Sequence, residues 1–225
     1  QAGAASGSVC LAEMQHGGRG RHGRRWISPF AANLYLSLLW RTPNGAAALG
    51  GLSLVAGIGL LRCLHGIGMT RAGLKWPNDV LVGDAKLAGI LVDVMGEASG
   101  DCAVVIGIGV NVDMPADAAA GIDRAWTDMR SHVGVANLSR NRLAATLLDE
   151  LLPALAEFEA GGLDTFMDEW RTHDVLTGRA IRLQLPDRSI DGRACGIDDS
   201  GALLVDTSGG RRRFSAGEVS LQAVS

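Results

Sequence analysis

Cysteine is scarce in this chain and follows no recognisable pattern. The four cysteines among its 225 residues show no Cys-x-x-Cys spacing, so a disulfide framework is not expected. They lie mostly in apolar stretches, which predicts buried free thiols in a reducing compartment. Gln1 to Ser8 also lacks the basic start and apolar segment of a secretory signal. These absences predict a cytoplasmic protein.

A strongly apolar run long enough to span a membrane is missing as well. The uncharged stretch from Gly45 to Leu61 is rich in glycine and only modestly apolar, whereas a spanning helix needs about 20 strongly apolar residues. We interpret this stretch as a helix buried against a sheet. The formal net charge of -3 argues against a surface built entirely for polyanions. Neither a membrane nor a nucleic acid is therefore the expected partner.

The first half of the chain has the hydrophobic pattern of a sheet. Apolar runs predict five strands, over Val9 to Met14, Asn33 to Trp40, Leu74 to Val82, Lys86 to Val94 and Ala103 to Val112. Gly83-Asp84 suits a tight hairpin turn between the third and fourth of these strands. This turn would place Lys75 and Lys86 on adjacent strands.

The second half changes from helical to strand-only patterning. Ser139 to Ala160 predicts an amphipathic helix that Ser139 caps, Pro153 kinks and Gly161-Gly162 ends, and a short helix follows from Leu163 to Arg171. After Gly178 we predict only short strands, which suggests a small barrel, over Ala180 to Leu185, Ser189 to Ile197, Ala202 to Asp206, Arg211 to Phe214 and Val219 to Val224. The predicted domains are therefore residues 1–177 and 178–225.

Two short motifs indicate chemistry at an anion. Gly18 to Trp26 reads Gly-Arg-Gly-Arg-His-Gly-Arg-Arg-Trp, a segment whose glycines let backbone N–H groups converge while the arginines supply charge and forked donors. A solvated basic loop or an RNA-binding patch would have the same composition. Lys75 to Val80 reads Lys-Trp-Pro-Asn-Asp-Val, in which the lysine can stabilise a reacting phosphate and Asp79 can hold Mg²⁺. A purely structural ion pair between Lys75 and Asp79 is the alternative.

Two further features lie beside these motifs. Gly107-Ile108-Gly109-Val110-Asn111 leaves one face of a strand bare for a close-lying ligand, unless the glycines mark only a bulge. Lys86 follows the predicted hairpin turn, where a lysine is often a solvated edge residue. Trp126 lies in a polar stretch and suits either stacking on a planar ligand or core packing.

Taken together, the motifs resemble those of bacterial biotin–protein ligases. Gly18 to Trp26, Lys75 to Val80, Lys86 to Val92 and Gly107 to Asn111 occur in the order and spacing of that family. The ending, with Gly201 to Val205 and Gly217 to Leu221, is similar to its small C-terminal domain. The resemblance implies an α+β fold, with a mixed-sheet catalytic domain of the class II aminoacyl-tRNA synthetase and biotin ligase type followed by a small SH3-like β-barrel.

The resemblance also implies a reaction and its site. Biotin and ATP would form biotinoyl-5′-AMP with Mg²⁺ held by Asp79, and a lysine of the biotin carboxyl carrier domain of acetyl-CoA carboxylase would then accept the biotinyl group. Lys75, Arg21 and Lys86 would act in catalysis. Biotin and the nucleotide would be bound by residues from four segments, namely Gln15, Gly18, Arg19, Gly20, Arg21, Lys75, Asn78, Gly107, Gly109, Asn111 and Trp126.

Some consequences of the resemblance concern residues before Gln1 and competing functions. The family has a Ser-Thr-Asn motif upstream of the Val9 to Met14 strand, so the resemblance describes an N-terminally truncated chain with fewer polar partners for the biotin ureido ring. Some relatives form homodimers, and some have a DNA-binding segment before the ligase. A lipoate ligase or octanoyltransferase shares the fold and is the alternative enzyme. A nucleic-acid-binding module that uses Arg19, Arg21, Arg24, Arg25 and Arg211 to Arg213 is the alternative without catalysis.

Overall fold

A computed structural model describes residues 3–96, 100–134 and 139–222 of the protein. The first of its two sheets has six strands in the order β1-β2-β6-β5-β4-β3, which are Val9–Ala12 (β1), Leu34–Thr42 (β2), Ala72–Lys75 (β3), Asp79–Val82 (β4), Ala85–Gly96 (β5) and Cys102–Val110 (β6). All neighbouring strands pair antiparallel. Within the described residues, parallel pairing is limited to two isolated bridges, Leu74 with Asp174 and Lys86 with Trp126. The α+β class is confirmed. Of the predicted mixture of parallel and antiparallel pairing, the parallel part consists of these two bridges.

Helices cover one face of this first sheet. They are Leu52–Gly66 (α1), Arg140–Gly161 (α3) and Met167–His173 (α4), whereas the single turn Ala116–Ala119 (α2) belongs to the loop that follows β6. Because side chains alternate between the faces of a strand, Ile106 and Ile108 of β6 are buried in the core with α1 and α3. Gly107 and Gly109, between and beyond them, face the opposite side, where the sheet lines a cavity.

The buried helix predicted from Gly45 to Leu61 lies further along the chain. Residues Ala46–Leu49 form a 3-10 turn, and α1 begins only at Leu52 and continues to Gly66. Gly51 has a φ of 86°, a left-handed conformation that suits glycine and separates the turn from the helix. The prediction of burial was right, since eleven of the fifteen residues of α1 are buried.

The segment from Leu74 to Val82 is a hairpin and not the single strand that its apolar pattern predicts. The chain reverses at Trp76-Pro77-Asn78, so that Lys75 on β3 pairs with Asp79 on β4. Proline has no N–H to donate to a ladder and is compatible with a turn. Lys75 and Lys86 are therefore not on adjacent strands, because β4 lies between β3 and β5. The predicted Gly83-Asp84 turn is confirmed between β4 and β5, where Gly83 has a φ of 60°.

The helices of the second half of the chain agree closely with those that the sequence predicts. Ser139 caps α3 by accepting a bond from the Arg142 N–H at 3.3 Å, and Gly162 ends the helix with a φ of 71°. The helix continues through Pro153. The short helix predicted from Leu163 to Arg171 begins as a 3-10 turn over Asp164–Phe166 and continues as α4.

The second sheet has the five strands that the sequence predicts. Its order is β10-β9-β8-β7-β11, with Ala180–Gln184 (β7), Ser189–Ile197 (β8), Leu203–Thr207 (β9), Gly210–Phe214 (β10) and Glu218–Leu221 (β11). All of its ladders are antiparallel. The last predicted strand extends to Val224, and residues 223–225 lie outside the described residues.

The cysteines agree only partly with their predicted burial. All four are free thiols, with Cys63 and Cys102 buried, Cys195 partly buried and Cys10 exposed. Cys10 belongs to β1, an edge strand whose residues are mostly exposed, so its apolar neighbours in the sequence did not indicate burial. In the described ranges, no helix has both the length and the apolarity needed to cross a bilayer.

Candidate active site

A cavity of about 700 Å³ opens on the face of the first sheet that the helices leave free. Every residue that the sequence nominates lines it, including the three nominated as catalytic and the one nominated for a metal, namely Gln15, Gly18, Arg19, Gly20, Arg21, Lys75, Asn78, Asp79, Lys86, Gly107, Gly109, Asn111 and Trp126. These residues come from loops and strands up to 111 positions apart in the chain. The fold therefore brings the separate motifs to one site.

The arginine-rich loop forms a small hairpin over the cavity. The Trp26 N–H donates to the Gly18 carbonyl at 2.9 Å, and the Gly20 N–H donates to the Arg24 carbonyl at 2.7 Å. Gly18 cannot be replaced without movement, since a Cβ there would lie 2.6 Å from the Trp26 carbonyl oxygen and 2.7 Å from the Ser28 hydroxyl. The loop thus has a defined path that aims several guanidinium groups at the cavity.

Trp26, the last residue of this loop, lies on the bare surface of β6. A Cβ on Gly109 would come within 2.6 Å of the Trp26 indole, whereas one on Gly107 would meet only ordinary contacts. The ladders on both sides of β6 keep a continuous register through these glycines, so they do not mark a bulge. Gly109 therefore makes room for an aromatic ring of the protein, and Gly107 keeps the cavity open. The Trp26 Nε1–H is buried without a hydrogen-bond partner among the described residues.

Lys75 and Lys86 meet at the carboxylate of Asp79. The Lys86 Nζ lies 2.5 Å from one carboxylate oxygen, and the Lys75 Nζ lies 3.8 Å from the other. Burial lowers the pKa of both lysines, and the charge of Asp79 partly offsets that effect. Because all three side chains are nearly covered, their charges act through a poorly screened environment. A ligand with two anionic groups can replace Asp79 as the ion-pair partner of these ammonium groups.

The two asparagines nominated as ligand contacts are also bound to backbone. The Asn78 side chain donates to the Ile90 carbonyl at 2.7 Å, which joins the Trp-Pro turn to β5. The Asn111 side chain donates to the Thr127 carbonyl at 3.0 Å, and this bond ties the end of β6 to the loop that follows it. Both amides therefore hold the wall of the cavity in place.

Residues 113–131 form a second loop at the cavity, and this loop includes Trp126. The Asp128 carboxylate is buried and accepts bonds from the Met114 and Ser131 N–H groups, each at 3.0 Å. The Lys86 N–H and carbonyl bond the loop on either side of Trp126. Trp126 is thus held beside Lys86 and half-buried at the cavity wall, an arrangement that suits stacking on a flat ring.

The second sheet also reaches the cavity, at the start of β11. The Glu218 carboxylate forms an ion pair with Arg24 of the first loop and lies 3.7 Å from Arg124 of the second. The neighbouring Gly217 carbonyl accepts a bond from Arg21 at 3.2 Å. Burial lowers the pKa of the Arg21 guanidinium, a group that stays protonated at neutral pH.

Sequence reasoning missed several residues of this site. Trp26 and Arg24 lie inside the motif but were not nominated, and Arg124 is only two positions before Trp126, so attention to motif neighbours would have found them. Glu218 lies within the Gly217 to Leu221 segment that resembles the C-terminal domain of the family, but nothing in the sequence places the second sheet against the first. Seven basic and four acidic side chains line the cavity, an excess of positive charge that suits an anion. Within the part of the chain that the structure describes, no three His, Cys, Asp or Glu side chains cluster to form a metal cage.

Comparisons with known proteins agree with this geometry. The family model described as biotin/lipoate A/B protein ligase family matches residues 1–111, and the biotin protein ligase C terminal domain matches residues 176–222. The chain is 43% identical over 218 residues to the bifunctional ligase/repressor BirA of Escherichia coli, with 97% of this chain and 67% of that protein aligned. It is 37% identical to the biotin--[acetyl-CoA-carboxylase] ligase of Mycobacterium tuberculosis, with 95% of this chain and 78% of that protein aligned.

This chain belongs to the biotin protein ligase family. A solved structure agrees with the assignment, since the biotin protein ligase of Aquifex aeolicus in complex with biotin and ATP superposes with a TM-score of 0.82 at 27% identity. That match covers 99% of this chain and 91% of the other. The expected α+β fold with a C-terminal β domain is confirmed. The match over residues 176–222 is to a domain named for biotin protein ligases, and it favours them over the lipoate group of the same broad family.

The arginines that suggested a nucleic-acid surface have other surroundings in this biotin protein ligase. Arg19, Arg21, Arg24 and Arg25 line the cavity. Arg211 and Arg213 on β10 form ion pairs with Asp206 and Asp198. Acidic neighbours compete with a polyanion for these guanidinium groups, so the structure does not favour a continuous basic surface.

Proposed function

We propose that this protein joins biotin to a carrier protein in two steps at the cavity of the first sheet. In the first step a biotin carboxylate oxygen attacks the α-phosphorus of ATP, which forms biotinoyl-5′-AMP and releases pyrophosphate. In the second step the amine of a carrier lysine attacks the acyl carbon, which forms an amide and releases AMP. Negative charge develops on phosphate and acyl oxygens, so buried cations lower both barriers.

The arrangement of Lys75 and Lys86 about Asp79 is the observation that supports this proposal best. Two ammonium groups and the Arg21 guanidinium line the cavity, and the charge of Asp79 acts on all three, so they can contact the biotin carboxylate and the α-phosphate together. Lys75 would bridge these two groups, Lys86 would assist at the phosphates, and Arg21 would close over the mixed anhydride. In a water-poor site such charge is worth several kcal/mol to the transition state.

The two loops would divide the ligand between them. Gln15, Gly18, Arg19 and Gly20 lie in or beside the first loop, and we assign them to biotin and the acyl phosphate. Gly107 would let the ring system approach the sheet, while Gly109 and Asn111 complete that wall. Trp126 would stack on adenine from the second loop, where Asn111 holds the backbone in place.

Mg²⁺ fits this site as a companion of the nucleotide. Mg²⁺ usually binds proteins through one or two carboxylates plus substrate phosphates, and Asp79 is a carboxylate placed beside both catalytic lysines. Once phosphates engage the lysines, Asp79 would be free to hold the ion. When bound, the ion would offset the charge of the departing pyrophosphate.

The protein substrate and the setting follow from the same proposal. We propose the biotin carboxyl carrier domain of acetyl-CoA carboxylase as acceptor, the cytoplasm as location, and a division of the chain into domains at residues 177 and 178. The name of the Mycobacterium tuberculosis relative supports the acceptor. The free thiols support a reducing location, and the start of the C-terminal domain match at residue 176 supports the division.

A direct assay separates this function from its alternatives. The purified chain would be incubated with MgATP and either biotin or lipoate, and the adenylates would be identified by mass spectrometry. We expect biotinoyl-AMP and a rise in Tm with biotin and ATP together. Lipoyl-AMP alone would establish the lipoate alternative. Stabilisation by RNA but by neither small molecule would establish the nucleic-acid alternative.

A further inference from the structure

The second sheet places one carboxylate between the two loops that cover the cavity. Glu218, the first residue of β11, forms an ion pair with Arg24 and lies 3.7 Å from Arg124. Arg24 belongs to the arginine-rich loop and Arg124 to the loop that includes Trp126, 100 positions later in the chain. We propose that Glu218 is a positioning residue that joins these two loops and so sets their arginines for the phosphates of ATP.

The surroundings of Glu218 support a positioning role. The Glu218 side chain is 31% exposed and the two arginines are 38% and 33% exposed, so the pairs are only partly screened by water. The adjacent Gly217 carbonyl accepts a bond from Arg21. Gly217 and Glu218, where β11 begins, therefore contact three arginines of the cavity.

The position of β11 is itself well determined. Glu218 pairs with Gln184 at the start of the β7–β11 ladder, and a Cβ on Gly217 would lie 2.6 Å from the Leu183 side chain. Trp76, next to Lys75, donates its Nε1–H to the Gly201 carbonyl at 2.9 Å. The second sheet is thus fastened to the lysine motif, and Glu218 is presented to the loops from a rigid element.

This proposal rests on the ligase function but can be tested apart from it. Limited trypsin digestion of the ligand-free chain needs no activity, and mass spectrometry identifies each cut. In Glu218→Gln we expect cleavage after Arg24 and after Arg124 to accelerate about fivefold, as expected when a charge-assisted contact is lost from a partly exposed group. Asp191→Asn is the matched control, since Asp191 pairs with Arg182 in the same sheet away from the cavity. Unchanged cleavage at both loop arginines would overturn the proposal, whether or not the chain is active.

Kinetics then distinguish positioning from general stability. In a chain that forms the adenylate, Glu218→Gln should raise KM for ATP about five- to tenfold, while kcat changes less than about twofold. Combining it with Arg24→Gln should add little, because the two side chains act as one unit. Independent, additive effects, or a loss confined to kcat, would rule out a role through Arg24. Failure of the unaltered chain to form any adenylate would count against the ligase function, and the digestion would still decide the role of Glu218.

Discussion

At the scale of single residues, the two lysines of the cavity differ in how closely they contact Asp79. Asp79 has two lysine neighbours, but its close contact is with Lys86 at 2.5 Å, whereas Lys75 lies 3.8 Å away. The alternative of a purely structural Lys75–Asp79 ion pair therefore rests on the longer of the two contacts. Lys75 is the cation that a ligand can recruit at the smallest cost to the fold.

Replacing Lys75 by methionine should separate function from stability. We expect Lys75→Met to slow adenylate formation by about 10²- to 10³-fold, as when one stabilising donor is removed from a reacting oxyanion. Its free energy of unfolding should change by less than about 1 kcal/mol, because Asp79 keeps Lys86 and a buried charge is removed. Lys86→Met is the comparison. It removes the close partner of the buried Asp79 carboxylate, so it should lower the free energy of unfolding more than Lys75→Met does. Denaturant unfolding and a pyrophosphate-release assay check both, and unfolding of Lys75→Met would favour a structural role.

The pH dependence should have opposite signs for activity and for stability. Burial lowers the pKa of Lys75 and Lys86, so each loses its proton at a lower pH than an exposed lysine, whose pKa is about 10.4. The kcat/KM for ATP should therefore decline in the alkaline range before that value is reached. The unfolded chain binds these protons more tightly, so the free energy of unfolding should rise with pH between the lowered pKa and about 10.4. A rate profile and urea titrations at matched pH values test this, and Lys75→Met should reduce the stability trend.

At the scale of elements, glycine sets how closely α1 approaches α3. A Cβ on Gly59 of α1 would lie 3.2 Å from the Leu151 Cα of α3, which is backbone and cannot rotate away. Gly66, the last residue of α1, would meet nothing within 4 Å. The same substitution at these two positions therefore separates packing from helix propensity.

Gly59→Ala and Gly66→Ala should change stability in opposite directions. Alanine is favoured over glycine in a helix by about 1 kcal/mol, and Gly66→Ala should gain up to that amount. At Gly59 the added methyl group forces the helices apart, at a cost of about 1–3 kcal/mol, which outweighs the gain. Chemical denaturation of both variants measures the difference. If both variants were stabilised equally, the contact between α1 and α3 at Gly59 would have room for a methyl group.

Periodicity located most elements, and its errors have local causes. The α3 helix and the five strands of the second sheet were predicted correctly because Ser139, Gly162 and the glycine turns give signals to their immediate neighbours. The strand predicted from Leu74 to Val82 was wrong, since its apolar pattern continues through a turn whose two arms are both buried. The start of α1 was missed because small apolar residues precede Gly51 without a change in hydropathy.

For the whole molecule, the contact between the two sheets is part of the active-site wall. Gly201 has a φ of 78°, and a Cβ there would lie 2.9 Å from Leu54 and 3.0 Å from Leu163. Its carbonyl accepts the Trp76 indole bond. A displacement of the Gly201 backbone should therefore shift Trp76 and, with it, the neighbouring Lys75.

Gly201→Ala tests this connection against a control with the same backbone strain. Gly210 has a φ of 98° and open space around its Cβ position, so Gly210→Ala should cost only the strain of a left-handed residue, about 1 kcal/mol. Gly201→Ala should cost about 1–3 kcal/mol more through overpacking, and it alone should raise KM for ATP. Thermal unfolding and steady-state kinetics measure both effects. Equal behaviour of the two variants would show that the contact between the sheets has no influence on the site.

The sequence by itself determined the kind of chemistry, because each motif keeps its anion-binding groups within a few residues and their character depends on near neighbours. Through the resemblance of separated motifs it nominated residues that the fold brings to one cavity, and their individual roles stay predictions. Only the tertiary structure decided that β4 separates the two lysines, that Trp26 covers Gly109, and that Glu218 reaches both loops. These features join residues 83 to 194 positions apart, or depend on strand order. Such contacts arise from the packing of whole elements, which no local pattern records.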